Sequence, residues 1–186
     1  MKTNKIYLSV FFIFLFNIIG ATALCFPALR EAILKLTSLN LLLIFMIFFY
    51  ANNDFSLSFL KTILLVFIIG YFIAALGVRF KFIFGEYFYG ETLGLKILNT
   101  PIIMGINWLS LSLSTFGIAA YVFKPKLLIV VAASALMVLT DMLIEPLSAS
   151  LDFWYWKNNV IPTRNYIAWF LVSLIIHSIF LRFDIK

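Results

Sequence analysis

The sequence predicts an all-α polytopic membrane helix bundle, in which residues 1–186 form a single integral membrane domain. Three observations lead to this prediction. Hydrophobic residues make up 64% of the chain, and the mean hydropathy is +1.09. The apolar stretches reach or approach the roughly 20 residues that a helix needs to cross a bilayer. A water-soluble domain of 186 residues could not bury so much apolar surface in one core.

About six transmembrane spans are predicted from the length of the apolar stretches and from their flanking charges. In chain order they are Ile6–Phe26, Ile33–Tyr50, Leu57–Val78, Pro101–Phe123, Leu127–Leu147 and Tyr166–Phe183. Most prolines lie at or near predicted ends, where the missing backbone N–H matters least. Ala21-Thr22-Ala23 resembles a signal-peptidase site, but the apolar run continues to Phe26, so we expect a retained first helix.

The stretch from Arg79 to Thr100, between the third and fourth spans, is the least regular part of the chain. It contains Gly85, Gly90 and Gly94 among mostly apolar residues. This stretch is too apolar for a free loop and too interrupted for a normal span. We therefore expect a re-entrant or interfacial segment near residues 79–100, with a backbone covered by protein or by water.

The number of spans predicts that two polar clusters share one side of the membrane. With six spans, the loops after the first, third and fifth spans lie on the same side. Residues 86–89 belong to one of these loops, and residues 141–165 lie in or near another. Lysine and arginine are divided equally between the two sides, so the positive-inside rule gives no orientation.

Asp141 and Glu145 are the strongest candidates for catalytic residues. They lie one helical turn apart near the end of the fifth span and therefore share a helix face. A carboxylic acid in low-dielectric surroundings can keep its proton at neutral pH and act as a general acid. The alternative is structural, with both carboxylates paired or hydrated at a helix end. Pro146 should loosen the helix here and leave backbone carbonyl groups free for a polar pocket.

Glu86 is the third candidate catalytic carboxylate, and two candidate substrate-binding tyrosines follow it. Tyr87 and Tyr89 can orient a carboxyl group or a water molecule. The alternative is an interfacial tyrosine belt beside an exposed acid. Asn107 lies about two turns into the fourth span, at a depth where an amide needs a partner. It is either a helix–helix contact or a group that positions water.

Tryptophan residues concentrate near the same segments. Trp108 lies in the fourth span, Trp154 and Trp156 follow the fifth span, and Trp169 lies in the sixth. Trp154, Trp156 and Trp169 either form an interfacial belt or line a tunnel for a long conjugated or isoprenoid chain, and Trp108 is a candidate pocket residue beside Asn107. The sequence by itself favours the belt. Asn165, at the start of the last span, is a further candidate for the polar lining of a pocket.

Several classes of function are disfavoured. No phosphate-binding glycine loop, Ser/His/Asp arrangement or aspartate-rich diphosphate motif is present. With one cysteine and one histidine, the sequence predicts no disulfide and no metal site. The net charge of +6 comes without a dense basic cluster, so nucleic acid is not an expected partner. The class of function that remains is acid–base chemistry on an apolar substrate.

A series of separated motifs in about the last 110 residues resembles the membrane carotenoid hydratase family, of the bisanhydrobacterioruberin hydratase type. The motifs are Gly77-Val78, Phe84-Gly85-Glu86-Tyr87-Phe88-Tyr89-Gly90, Leu93-Gly94, Pro101, Asn107-Trp108, Asp141 with Glu145-Pro146, Trp154-Tyr155-Trp156, Ile161-Pro162 and Asn165-Tyr166-Ile167-Ala168-Trp169-Phe170. The first two spans match only in hydrophobicity.

The resemblance implies a carotenoid biosynthesis hydratase that needs no cofactor. Such an enzyme adds water to the terminal C1=C2 double bond of an acyclic (ψ) carotenoid end group and forms a tertiary alcohol. It also implies a carotenoid or isoprenoid substrate, membrane lipid around the protein, and a location in a prokaryotic cytoplasmic membrane. Other enzymes of the carotenoid pathway are candidate partners. Carboxyl groups, tyrosines and tryptophans suit this chemistry, because an aromatic face attracts a cation.

Four positions depart from the pattern of the resembled family. Ala74 stands where a glutamate is often found, Phe80-Lys81 replaces a Thr-Gly step, and Arg164 stands where glutamine is expected. These departures motivate a second hypothesis, a non-catalytic carotenoid-binding or pathway-scaffolding membrane protein derived from that family. A small transporter is a weaker third hypothesis, because no repeat is visible in the sequence.

Overall fold

The computed structural model describes residues 2–52, 54–183 and 185. Within this part of the chain there are seven α-helices: α1 (Lys2–Leu24), α2 (Pro27–Lys35), α3 (Thr37–Ala51), α4 (Leu57–Arg79), α5 (Ile103–Val122), α6 (Lys126–Ser148) and α7 (Thr163–Arg182). Short strands lie in two of the connections: β1 (Tyr87–Tyr89), β2 (Lys96–Ile97), β3 (Thr100–Pro101) and β4 (Trp154–Trp156). The fold is an all-α polytopic membrane helix bundle, as the sequence predicts.

Five of the helices are long and apolar enough to cross a membrane. They are α1, α4, α5, α6 and α7, and they overlap the first, third, fourth, fifth and sixth predicted spans. Pro125 and Pro162 directly precede α6 and α7, as expected, whereas Pro146 lies inside α6, which continues to Ser148. These five predictions from apolar length are therefore confirmed.

The second predicted span, Ile33–Tyr50, is not one continuous helix. α2 and α3 meet at Leu36 with a bend of 60°. α2 buries none of its residues, and its Glu31 and Lys35 form an exposed ion pair. The 15 residues of α3 extend about 22 Å, which is less than the roughly 30 Å of a bilayer core. The predicted span did not include this bend, and the bent pair together can count as the sixth crossing.

Helices α4 to α7 form the bundle that carries the core. α4 packs against α5, α5 against α6 and α6 against α7, while α3 packs against the outside of α5. Val66, Trp108, Met137 and Phe180 are among the fully or almost fully buried side chains of this bundle. α1 packs mainly against α2 and α3, and most of its surface is exposed. Four helices therefore position the buried polar residues described below.

The connection between α4 and α5 folds back over the end of α4. The ring of Phe84 lies so close to Gly77 that an added Cβ atom would overlap it. The Tyr87 hydroxyl donates a hydrogen bond to the carbonyl oxygen of Ala74 at 3.2 Å. A glycine on this face of α4 therefore permits the close approach of the connection.

The connection after α4 meets the connection after α6. β1 and β4 pair in antiparallel orientation, with Tyr87 opposite Trp156 and Tyr89 opposite Trp154. This pairing confirms that the two polar clusters converge, as span parity predicts. Residues 79–100 are irregular as expected, with β2 and β3 forming a second small hairpin. The position of this segment relative to the membrane stays a prediction.

Candidate active site

A small cavity lies where the ends of α4, α5, α6 and α7 meet the β1–β4 pair. Its volume is about 340 Å³ including its opening, and about 30 Å³ of this is available to the centres of water-sized molecules. This is enough for at least one water molecule, provided that polar partners are present. The lining residues are Ala74, Phe84, Tyr87, Tyr89, Met104, Trp108, Asp141, Glu145, Trp154, Trp156, Asn165 and Trp169.

The wall formed by β1 and β4 owes its composition to strand alternation. Alternate side chains of a strand point to the same face, so Tyr87 and Tyr89 line the cavity while Phe88 lies outside it. In the same way, Trp154 and Trp156 face the cavity. The ring of Tyr155 stacks on that of Phe88 on the other face, with centroids 5.2 Å apart.

Asp141 and Glu145 lie side by side on α6 and share a hydrogen-bond donor. The side-chain amide Nδ2 of Asn165, on α7, donates to Asp141 Oδ2 at 2.7 Å and to Glu145 Oε1 at 3.3 Å. The exposed fractions are 1% for Asp141, 4% for Glu145 and 2% for Asn165. The arrangement is a buried acid pair, without an ion-pair partner within 4.0 Å among the described residues.

The two carboxyl groups differ in their hydrogen bonds. Glu145 Oε2 accepts hydrogen bonds from the indole N–H groups of Trp154, at 3.1 Å, and Trp156, at 2.7 Å. Together with the bond from Asn165, Glu145 accepts three donors, whereas Asp141 accepts only one. Donated hydrogen bonds favour the charged form of a carboxyl group. The surroundings therefore suit a carboxylate at Glu145 better than at Asp141.

Stacked indole rings form the inner wall of the cavity. The rings of Trp108, on α5, and Trp169, on α7, lie with centroids 4.1 Å apart and an interplanar angle of 20°. With Trp154 and Trp156, all four tryptophans of the chain line the cavity and are buried. The preference for an interfacial tryptophan belt was therefore wrong. Sequence patterns do not distinguish an indole that faces lipid from one that turns inward.

The two cavity tyrosines remain protonated at neutral pH. Burial raises the pKa of Tyr87, and a hydrogen bond with Tyr89 offsets this only in part. Burial, and then the proximity of Tyr87, raise the pKa of Tyr89 well above its ordinary value. Both phenols can therefore donate hydrogen bonds, and neither is available as a base.

The structure places Glu86 outside this cavity. Its side chain is 38% exposed and forms ion pairs with Lys81 and with Lys157, the latter at 2.9 Å. The hydrogen bonds from Lys81 and then Lys157 lower the pKa of Glu86, so this carboxylate is ionised at neutral pH. It thereby links the connection after α4 to the turn after β4.

The family model for carotenoid biosynthesis proteins matches residues 12–184, which is nearly the whole chain. The chain belongs to this carotenoid biosynthesis protein family. No curated protein and no solved structure matches it. The match extends to residue 12 and so includes the first spans, for which the motifs gave only hydrophobicity.

Ala74, which stands where the resembled family often has a glutamate, lies in the candidate site. Its side chain lines the cavity. By contrast, Phe80, Lys81 and Arg164 are exposed residues outside the cavity lining. Asn107, half-buried on α5, is also outside the lining.

Three residues of the site were not found from the sequence. Phe84 and Met104 line the cavity, but their apolar side chains resemble those of the surrounding segments. Asp152 could have been identified as a candidate from the sequence, because it is one of only 8 acidic residues and directly precedes the Phe-Trp-Tyr-Trp run. Its role is visible only from contacts that it makes with a distant connection.

Asp152 holds the two connections of the cavity together. Its Oδ2 accepts hydrogen bonds from the backbone N–H groups of Glu91, at 2.8 Å, and Thr92, at 3.0 Å, while Oδ1 accepts one from the Tyr155 hydroxyl at 2.8 Å. An added Cβ at Gly90 would overlap the Asp152 carboxylate. Burial would raise the pKa of Asp152, but these hydrogen bonds lower it further than burial raises it. The clamp is therefore charged at neutral pH.

The donor set of the cavity offers little to a metal ion. No group of three His, Cys, Asp or Glu side chains is placed to hold a metal among residues 2–52, 54–183 and 185. The site instead combines two carboxyl groups, an amide, two phenols and four indoles. Such a set can transfer a proton, hold a water molecule and present aromatic faces to a cation.

Proposed function

We propose that this protein is a cofactor-independent carotenoid hydratase that adds water to the terminal C1=C2 double bond of an acyclic carotenoid end group. Membership of the carotenoid biosynthesis family supports the pathway. The observation that carries the proposal is the buried acid pair of Asp141 and Glu145, bridged by Asn165 and enclosed by the four tryptophans. Alkene hydration needs an acid, a stabilised cation and a positioned water molecule.

Asp141 is proposed as the proton donor. Two carboxyl groups that share one amide in a low-dielectric site do not readily ionise together. Glu145, with three donors, is the better carboxylate, so the proton is assigned to Asp141. Asp141 Oδ2 is occupied by Asn165, which leaves Oδ1 without a partner among the described residues and free to face the alkene. The proton would pass from Asp141 to carbon 2, forming a C–H bond and leaving a tertiary cation at carbon 1.

The surroundings of the acid pair are suited to that cation. The π-faces of Trp108 and Trp169 and the negative charge of Glu145 would stabilise it, since a ring quadrupole attracts a cation. Water then adds its oxygen to carbon 1. The proton that this water loses returns to the carboxylate at Asp141, directly or through Glu145, so the reaction consumes one water molecule and no net proton.

The cavity is too small for a whole carotenoid. The space open to water-sized molecules, about 30 Å³, is far below the roughly 300 Å³ or more of ligand pockets, so entry of an end group requires the cavity walls to move. A long polyene would therefore leave most of its length outside the cavity, among apolar helix surfaces or lipid. The tyrosine phenols are proposed to hold the attacking water, since both lie on the cavity wall and a phenol oxygen can accept a hydrogen bond while its own proton is donated elsewhere, as that of Tyr87 is to Ala74.

A pigment assay tests the proposal directly. The chain is co-expressed with enzymes that make an acyclic carotenoid, in water enriched in heavy oxygen, and the pigments are analysed by mass. We expect a tertiary alcohol that carries one labelled oxygen for each hydrated end. Recovery of unmodified carotenoid alone, with the protein present in the membrane, contradicts the proposal. The Asp141→Asn variant, expressed equally, is the matched inactive control.

A second candidate function is favoured by one observation. Ala74 leaves the α4 side of the cavity without a third carboxyl group, so a non-catalytic carotenoid-binding or scaffolding role is the alternative. In that case, pigment copurifies unchanged with the protein and carries no labelled oxygen. The same assay therefore separates the two functions.

A further inference from the structure

A second buried polar cluster lies deeper in the bundle, away from the cavity. It surrounds His177 on α7, the only histidine of the chain. The His177 side chain has an exposed fraction of 0%. It follows Trp169 by eight residues, so it lies about 12 Å further along α7 from the cavity wall. A polar group at such depth is costly in a membrane protein unless it has partners.

The partners of His177 come from two other helices. Nδ1 lies 3.0 Å from the Ser134 hydroxyl of α6. Nε2 lies 3.2 Å from the Thr115 hydroxyl and 3.3 Å from the carbonyl oxygen of Ser112, both on α5. The imidazole therefore joins α5, α6 and α7 at one level of the bundle.

Two hydroxyl groups keep this cluster satisfied in either neutral tautomer. When Nδ1 carries the proton, it donates to Ser134, whose own hydroxyl donates to Val130 O at 2.8 Å. The Thr115 hydroxyl then donates to Nε2. When Nε2 carries the proton, it donates to Ser112 O, and the Ser134 hydroxyl turns to donate to Nδ1. No tautomer leaves a ring nitrogen without a partner, so the contact persists without a charge on the ring.

Each helix joined by His177 carries part of the acid site. α5 carries Trp108, α6 carries Asp141 and α7 carries Asn165. Between apolar helix faces in lipid, one axial alignment of the helices (their register) is little more stable than another. A buried polar contact can select one register, because sliding would leave its groups unpaired. A displacement of 1 Å in a catalytic arrangement can lower the rate about 10²-fold.

We propose that His177 is a positioning residue that fixes the register of α5, α6 and α7 and thereby aligns Asp141 with Asn165 and Trp108 with Trp169. This role rests on the proposed function for its effect on rate. Its effect on geometry is independent of that function. Among the described residues, no hydrogen bond or ring contact joins the imidazole to the cavity lining or to the acid pair, so it is proposed to act through the helices.

Replacement of the imidazole by an apolar side chain of similar size tests the role. In His177→Leu, we expect kcat for hydration to fall about 10- to 100-fold, with little change in KM. The exciton couplet that the stacked Trp108 and Trp169 rings contribute to the circular dichroism should weaken. His177→Gln, which can donate and accept hydrogen bonds, should recover part of both signals. Ser178→Ala, an exposed hydroxyl on α7, is the control and should change neither.

An unchanged kcat and couplet in His177→Leu overturns the proposal, and so does a His177→Gln variant that is no better than His177→Leu. If His177→Leu does not accumulate, the double variant Ser134→Ala and Thr115→Val removes the partners while keeping the histidine. It should weaken the couplet, and an unchanged couplet again overturns the proposal. If the unchanged protein hydrates no carotenoid, the proposed function fails, while the couplet still decides the role of His177.

Discussion

Asn165 Nδ2 lies 2.7 Å from Asp141 Oδ2, across the interface of α6 and α7, and both side chains are almost fully buried. This contact ties the last span to the candidate proton donor. The same amide also lies 3.3 Å from Glu145 Oε1, so Asn165 joins both carboxyl groups of α6 to α7.

Removal of this amide should affect both stability and rate. Asn165→Ala leaves two buried carboxyl groups without a shared donor, and a lost hydrogen bond to a charged group costs about 1.5–3 kcal/mol. We expect a lower midpoint of thermal unfolding in detergent and a fall in hydration of about 10²-fold, as for a misplaced catalytic group. Asn17→Ala, at an exposed amide on α1, should change neither quantity. Equal effects in the two variants would show that Asn165 has no special role.

Asp141→Asn should abolish the acid while preserving the shape of the site. Loss of a general acid lowers the rate about 10²-fold or more. Insertion and expression should stay nearly intact, because the substitution keeps side-chain volume and hydrogen bonding. Product formation per unit of membrane protein is the measurement. Glu31→Gln, which removes an exposed acid on α2, is the control, and full activity in Asp141→Asn would exclude Asp141 as the donor.

Ala74→Leu should block the cavity from the α4 side. The added side chain would extend into a space that is lined by the acid pair and holds about one water molecule. Since this space is small, we expect a loss of stability of about 1–3 kcal/mol, as is typical of overpacked cores, and a steep fall in hydration. Ala135→Leu, at an exposed position of α6, is the size-matched control. Undiminished hydration in Ala74→Leu would place the reaction elsewhere.

The Asp152 clamp should depend on pH in a defined direction. Its hydrogen bonds lower the pKa of Asp152 in the folded protein. Their stabilisation is therefore complete above the unfolded value of about 3.9, and it is lost as the pH falls through the lower folded value. Hydrogen-exchange protection of the Glu91 and Thr92 amides should follow this course. Asp152→Asn should weaken protection at neutral pH and abolish its loss in acid.

Glu91→Gln provides the comparison for that measurement. Its side chain is 90% exposed and pairs with Lys96, not with the clamp. Protection of the neighbouring amides should stay close to that of the unchanged protein. A pH course that is the same in Asp152→Asn as in the unchanged protein would rule out the clamp as its origin.

The bundle could be predicted from the sequence because hydrocarbon imposes strict limits. An apolar run of about 20 residues has few alternatives to a membrane helix. The count of spans then predicted that the connections containing Tyr87 and Trp154 meet, and β1 and β4 are paired accordingly. The bend at Leu36 was missed because the length of an apolar stretch does not show where one helix ends and the next begins.

The sequence by itself determined the helices, their order and most of the polar residues of the site. Tertiary structure alone decided which of those residues share the cavity. Asp141, Glu145 and Asn165 are brought together because the cost of unpaired polar groups favours mutual contacts. Glu86 carries the same carboxyl group as Glu145, yet it lies among lysines at the surface. Residue type and spacing specify what a side chain can do, whereas its neighbours across the bundle fix its protonation and access to substrate.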